Sequence, residues 1–317
     1  ALRFKDSLAN GMNYSLNFAN AYDKNPIINL GWEDMSGNKL QVCRQLSAFG
    51  SGQTRLSLEA AGTTCTGSSV TGGYAALVAG QAASASGVGA GSKAATLVFE
   101  QEVKRVQNFG GSFDTAIESA ALGPVVIRGE ALYTKGAYSP TIDRGALSIG
   151  DLPAALTMRK GDRFKYVLGA DITALTNMMV SAQFIQDRNL DYIDNNVDFD
   201  GTTTCAVANC GVYTTDYATM HLTNGFNKAT KDKNFYSLFL SKPFGASGEH
   251  RWNNIFMLED TATSGGSGKW NRLDAEFSID DDTQATVEYN KYWGDANTQF
   301  GQLEKSSNIQ VGVKYSF

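Results

Sequence analysis

From residue 309 to the last residue the chain alternates without a break. Ile309, Val311, Val313, Tyr315 and Phe317 fall on one side, and Gln310, Gly312, Lys314 and Ser316 on the other. Successive side chains of a strand point to opposite faces, so this pattern dictates a ribbon that is apolar on one face and polar on the other. One such ribbon fits the edge of a soluble sandwich as well as the wall of a membrane barrel. Repetition separates the two, because a membrane barrel needs alternating segments of about 10 residues many times over, with polar connections between them.

The repetition is present. Walking backward, 283–293 sets Ala285, Val287, Tyr289 and Trp293 against Thr286, Glu288 and Asn290, and 270–279 sets Leu273, Ala275, Phe277 and Ile279 against Arg272, Asp274 and Glu276. Segments 251–259, 234–242, 179–187, 163–172 and 124–133 follow the same rule, and 109–118, 11–20 and 2–8 extend it toward the start. Short connections at 119–123, 173–177, 243–249 and 280–282 alternate with long ones near 62–94, 134–160, 188–232, 260–269 and 294–305. For that alternation to hold, 95–118 must be one long strand. The five prolines, Pro26, Pro124, Pro140, Pro153 and Pro243, fall at turns, strand starts or loops in this reading, as a residue without an N–H must in a closed sheet.

No run of 18 strongly apolar residues exists, so no spanning helix is expected, and a mean hydropathy of -0.24 would hide a barrel in which only every second residue meets lipid. The uncharged stretch between Glu59 and Lys93 is mostly Gly, Ser, Ala and Thr. It reads as a long loop with a short helix at 74–85. With 27 basic and 32 acidic residues the net charge is -5, which argues against a nucleic-acid partner. The chain opens at Ala1 with no export signal and falls at once into strand-like sequence, which predicts missing upstream strands.

Certain motifs carry a resemblance. Arg128-Gly129-Glu130 with Ala131-Leu132-Tyr133, Arg159-Lys160, Tyr166 to Asp171, and Ser181-Ala182-Gln183-Phe184 resemble the C-terminal half of a large uncharacterised family of Gram-negative bacteria, catalogued only as a domain of unknown function. The resemblance is best over 124–190 and looser over 1–317. It implies a porin-like outer-membrane β-barrel, in some members linked with handling of hydrophobic compounds, and it brings no catalytic residues.

The expectation is therefore an all-β fold: one antiparallel transmembrane β-barrel of about 12–16 strands over 1–317, with long extracellular loops and short periplasmic turns. Arg128, Glu130, Arg163, Lys165, Asp171, Arg272, Asp274, Glu276 and Glu288 fall on the polar face and are the pore-lining candidates. Either their opposed charges select solutes in a constriction, or they are cross-strand ion pairs that satisfy a polar interior. Tyr133, Tyr289, Trp293 and Tyr315 are girdle candidates.

Cys205 with Cys210, and Cys43 with Cys65, are expected to form disulfides, since an oxidising envelope permits them and no CxxC or nearby histidine favours zinc. Asp187, Asp191, Asp194, Asp198 and Asp200 read as a solvated acidic loop rather than a calcium site. No metal or cofactor is expected. His221 and His250 are the only histidines available as a general base, and neither has a nucleophile motif beside it, so no enzyme is expected. The functional expectation is an outer-membrane channel for small or hydrophobic solutes. The alternative is a structural barrel that anchors or sheathes a partner, and the candidate partners are outer-membrane lipid, a second copy or a surface protein.

Overall fold

A computed structural model of the chain describes residues 1–34, 36–46, 54–64, 95–148, 150–195, 211–215, 228–261, 266–296 and 298–316. Strands β1 (Leu2–Ser7) and β2 (Asn13–Tyr22) lead into an inserted group: β3 (Ile27–Asp34), β4 (Lys39–Leu46), β5 (Thr54–Ala60) and β6 (Ala95–Glu102). The chain then runs through β7 (Arg105–Ser119) and β8 (Gly123–Asp143), two short helices α1 (Arg144–Ser148) and α2 (Leu152–Ala155), β9 (Leu156–Ala174) and β10 (Met178–Asn189). It closes with β11 (Asp194–Asn195), β12 (Val212–Thr214), β13 (Asp232–Phe244), β14 (His250–Thr261), β15 (Gly266–Ser278), β16 (Thr283–Gly294), the turn-length helix α3 (Gln299–Gln302), a 3₁₀ turn at Glu304–Ser306, and β17 (Asn308–Tyr315).

The inserted strands form a four-stranded sheet in the order β5-β4-β3-β6. The rest form a thirteen-stranded sheet, in which β1-β2-β7-β8-β9-β10-β13-β14-β15-β16-β17 make one continuous path; β12 pairs with β8, and β11 pairs with β12. Every ladder along that path is antiparallel, so β1 and β17, at its two ends, run in the same direction. The expected all-β antiparallel architecture is present. No ladder joins β1 to β17 among the described residues, so a closed cylinder is not detected.

Burial along this sheet is inverted relative to an ordinary globular protein. Exposed positions include Leu16, Leu168, Leu238, Leu273, Val287, Ile309, Val311 and Val313, the last three at 70–74%. Buried positions of the same sheet include Ser15, Ser181, Ser241, Asp274 and Asn290. Register shows that the exposed group shares one face: Leu168 opposes Phe184, Phe184 opposes Tyr236, Leu273 opposes Tyr289, and Tyr289 opposes Ile309. Aromatic rings line that face from strand to strand: Phe18 to Phe109 at 4.9 Å, Tyr166 to Phe184 at 5.7 Å and Phe184 to Tyr236 at 5.2 Å. Gly129 belongs to it because the ring of Phe113 lies across it; a Cβ there would sit 2.3 Å from Phe113 Cε1.

The hydrophobic clusters of buried residues gather at one end of the thirteen-stranded sheet and in the inserted sheet. Ile28, Ile142, Ala146, Ala155, Leu156 and Tyr213 pack where α1 and α2 meet β3, β8, β9 and β12. Trp32 and Leu58 centre the inserted sheet, with Leu40, Val42, Ala95 and Leu97 packed around them. Both lie at the end of the sheet that carries the long connections.

At the other end the path strands join by tight turns: 8–12, 120–122, 175–177, 245–249 and 279–282. The chain terminus is there as well, where Ser316 N donates to Asp282 O at 2.8 Å. In the 245–249 turn the carboxylate of Glu249 is held down to about pH 2 in its titration by its own backbone N–H first, then by the backbone N–H and hydroxyl of Ser247, each 2.9 Å from Oε2. A depressed carboxyl group stabilises the turn fully above its unfolded value and loses that effect as pH falls through the folded value. Protection of the amides at residues 245–249, corrected for intrinsic exchange, is therefore expected to hold above about 4.5, to fall progressively as pH drops from about 4.5 to about 2 and to level off below that, and Glu249→Gln should remove that step. An exchange profile without a step in the wild type would count against the assignment.

Several sequence expectations are corrected. Residues 95–118 are two strands in two sheets: β6 pairs with β3, β7 pairs with β2 and β8, and the chain turns at Val103 and Lys104, where Asp23 N donates to Lys104 O. The loop expected at 134–160 is mostly strand, since β8 and β9 stay paired out to Ile142 and Leu156 across an irregularity between Thr134 and Ala137. Pro140 thus lies inside β8 rather than in a loop, next to Thr141, where the ladder with β12 stops; its carbonyl still accepts from Thr215 N. The connection expected at 260–269 shrinks, because β14 and β15 pair as far as Thr261 and Gly266. The helix expected at 74–85 lies outside the described residues.

Candidate functional site

The polar face is where the sequence places its charges, and the registers put them together. Alternation sends Arg128 and Glu130 of β8, Arg163, Lys165 and Asp171 of β9, Arg272, Asp274 and Glu276 of β15, and Glu288 of β16 to the side opposite the apolar band. On β8 and β9, Arg128 lies 3.2 Å from Asp171 and donates to Ser181 Oγ at 3.0 Å. Nearby, Asp187 of β10 receives Arg163 at 3.1 Å and Lys165 at 3.0 Å. One carboxylate is thus shared by two cations, a net positive cluster.

Across the sheet carboxylates outnumber cations. Asp274 and Glu288 stand directly opposite each other on β15 and β16, an arrangement that like charges disfavour, and Arg272 sits between them, 3.2 Å from Asp274 and 2.7 Å from Glu288. Asn253 donates to Asp274 Oδ2 at 2.7 Å and satisfies it further. Glu276 is exposed, in register with Arg251 and Thr286, and makes no ion pair among the described residues. The two groups occupy different strands of one face: on β8–β10 Arg128, Arg163 and Lys165 balance Glu130, Asp171 and Asp187, whereas on β15 and β16 Asp274, Glu276 and Glu288 outnumber Arg272.

Between β2, β7, β8 and β9 the polar face opens into a cavity of about 520 Å³. Small side chains make the room: Ser15, Ala19, Gly110 and Ser112 line it, with Glu130 and Lys165 at its wall and Arg3 contributed by β1. The concavity thus presents both signs of charge.

The long connection between β16 and β17 is the part that sequence reasoning missed. Expected only as one of the long outer loops, it folds back over the polar face. Phe300 of α3 is 6% exposed and meets Phe235 at 6.2 Å and Trp270 at 6.1 Å, while Trp270 stacks on Tyr292 at 6.0 Å. The signal available in the sequence was Thr298, a cap residue whose Oγ1 accepts from Gly301 N at 3.0 Å.

Other expectations are placed as follows. Tyr133, Tyr289, Trp293 and Tyr315 all lie on the apolar face; Tyr133 extends the belt of Phe18 and Phe109, and Trp293 meets Phe256 at 6.3 Å. Cys43 is fully buried and disulfide-bonded, whereas Cys65, Cys205 and Cys210 lie outside the described residues, so neither expected pairing is tested. Asp187 belongs to β10 rather than to the acidic loop, Asp191 accepts from Asp162 N at 2.6 Å, Asp194 pairs with Lys228, and Asp198 and Asp200 are outside the described residues. Among the described residues no three His, Cys, Asp or Glu side chains gather as a metal site. His250 packs between Phe244 and Phe277, its Nδ1 accepting from Ser278 N at 3.2 Å; His221 lies outside the described residues.

No curated protein and no solved structure matches the chain. A family model described as a protein of unknown function, DUF1302, matches residues 1–317. A chain matched from end to end by that model belongs to the DUF1302 family.

Proposed function

We propose that this chain builds the wall of an outer-membrane channel, with the apolar face against lipid and the polar face along an aqueous route for small or hydrophobic solutes. The observation that carries the reading is the inverted burial within single strands: Leu273 and Tyr289 are 46% and 42% exposed while their strand neighbours Asp274 and Asn290 are under 10%. In water that inversion leaves an apolar surface far larger than a monomer tolerates, and in a bilayer it removes the penalty. Antiparallel strands with tight turns at one end and long connections at the other support the same reading. Hydrocarbon allows no unpaired sheet edge, so the route is lined only once the ladders of β1 and β17 are satisfied.

The ionic clusters then act as a filter. Cations at Arg163 and Lys165 and carboxylates at Asp274 and Glu288 set up a field across the polar face, which orients and sorts charged solutes. Reconstitution into planar bilayers tests the proposal. Steady unitary ion currents are the expected result, and a membrane-inserted protein that stays electrically silent would refute it.

A further inference from the structure

We infer that residues 295, 296 and 298–306 belong to a fixed strap that sets the size limit of the route, with Phe300 as its inward-facing element and Glu259 as its anchor. The inference rests on the channel reading above. A connection that merely joined two strands would leave its polar groups in solvent. Here a carboxylate is buried to hold the connection down: Glu259, 1% exposed, accepts from Gln299 N at 2.7 Å and from Phe300 N at 3.3 Å through the same oxygen. Burying a charge in this way is costly unless strong hydrogen bonds offset it, and these are charge-assisted.

Further ties fix the strap to the strand rims. Asp295 N donates to Ser267 O at 3.0 Å, and its Oδ2 accepts from Ser267 N at 2.8 Å. Thr298 is fully buried, its hydroxyl donating to Asp295 O at 2.6 Å. It fits because Gly268 faces it: a Cβ there would lie 2.5 Å from Thr298 Oγ1. The seat is thus built by β14 and β15 and by the strap together.

Its position gives the seat a role. Register sets Trp270 level with Met257 and Tyr292, and the next residues of the same face toward the tight turns are Arg272 and Asn290, then Asp274 and Glu288. A solute moving along these strands from the long-connection end meets the aromatic strap first and the ionic row next. Size is therefore selected at Phe300 before charge is selected at Arg272.

The test uses the full chain in planar bilayers, with polyethylene glycols of graded size as probes of the opening and liposome flotation to confirm insertion. Phe300→Ala and Glu259→Gln are each expected to raise unit conductance on the order of twofold and to admit a larger glycol than the wild type. Glu259→Gln keeps the strap's volume and removes only its charged anchor, so it decides the matter if Phe300→Ala fails to insert. Conducting wild type with unchanged conductance and unchanged glycol cut-off in both variants overturns the strap. A silent wild type overturns the channel reading, and the strap with it.

Discussion

Leu168→Arg is expected to destabilise the folded protein in phospholipid vesicles by about 2–4 kcal/mol, because it places a guanidinium on the apolar face, which the proposal sets against lipid, near the middle of β9. Leu168 is 49% exposed and stands beside Phe184, so in water the same change would cost little. Its neighbour Val167 supplies the control. One residue along a strand is the opposite face, and Val167 lines the polar cavity. Val167→Arg should therefore cost much less than Leu168→Arg in vesicle unfolding titrations with guanidinium chloride. Equal costs for the two would remove hydrocarbon as the solvent of the apolar face.

The second large effect is at Arg272. It offsets two carboxylates that the register forces to face each other, Asp274 at 11% exposure and Glu288 at 22%, while its own side chain is 38% exposed. Fully buried pairs lose more when one partner goes and surface pairs lose almost nothing, so partial exposure places Arg272→Gln at about 1–3 kcal/mol. The electrical effect should be plainer. With the cation gone the row carries two uncompensated negative charges, and the reversal potential in a potassium chloride gradient should shift toward cation selectivity, while Arg272→Lys should hold close to the wild type. An unshifted reversal potential in Arg272→Gln would place this row off the conduction path.

How far the sequence reached follows from where alternation is a sufficient instruction. Along most of β8, β9, β15, β16 and β17 apolar residues recur at every second position, and parity alone assigned Arg128, Arg163, Lys165, Asp171, Asp274 and Glu288 to one face, as the ladders confirm. Parity cannot say which strand is a neighbour. The single strand expected at 95–118 rests on the alternation of short and long connections, and no glycine or proline at Val103 or Lys104 marks the corner. Only the pairing of β6 with β3 reveals that two sheets share this stretch.

Partners were legible only when both lay in a recognised strand. Asp187 was assigned to an acidic loop by the company of Asp191 and Asp194, although its parity within β10 marks it as the counter-ion of Arg163 and Lys165. Glu259 was visible as a charge at a strand end, but its role depends on residues 40 positions later folding back onto it. Contacts of that kind come from the return of a connection and leave no periodic trace.

The common direction of β1 and β17 carries a topological consequence. Zipping one rim onto the other would stitch a parallel seam into a wall whose remaining joints all alternate, and a copy rotated about the cylinder axis would meet the first across that same mismatched joint. An even tally, and with it uniform alternation around the circumference, is reached only when an odd number of additional ribbons stands between the two rims.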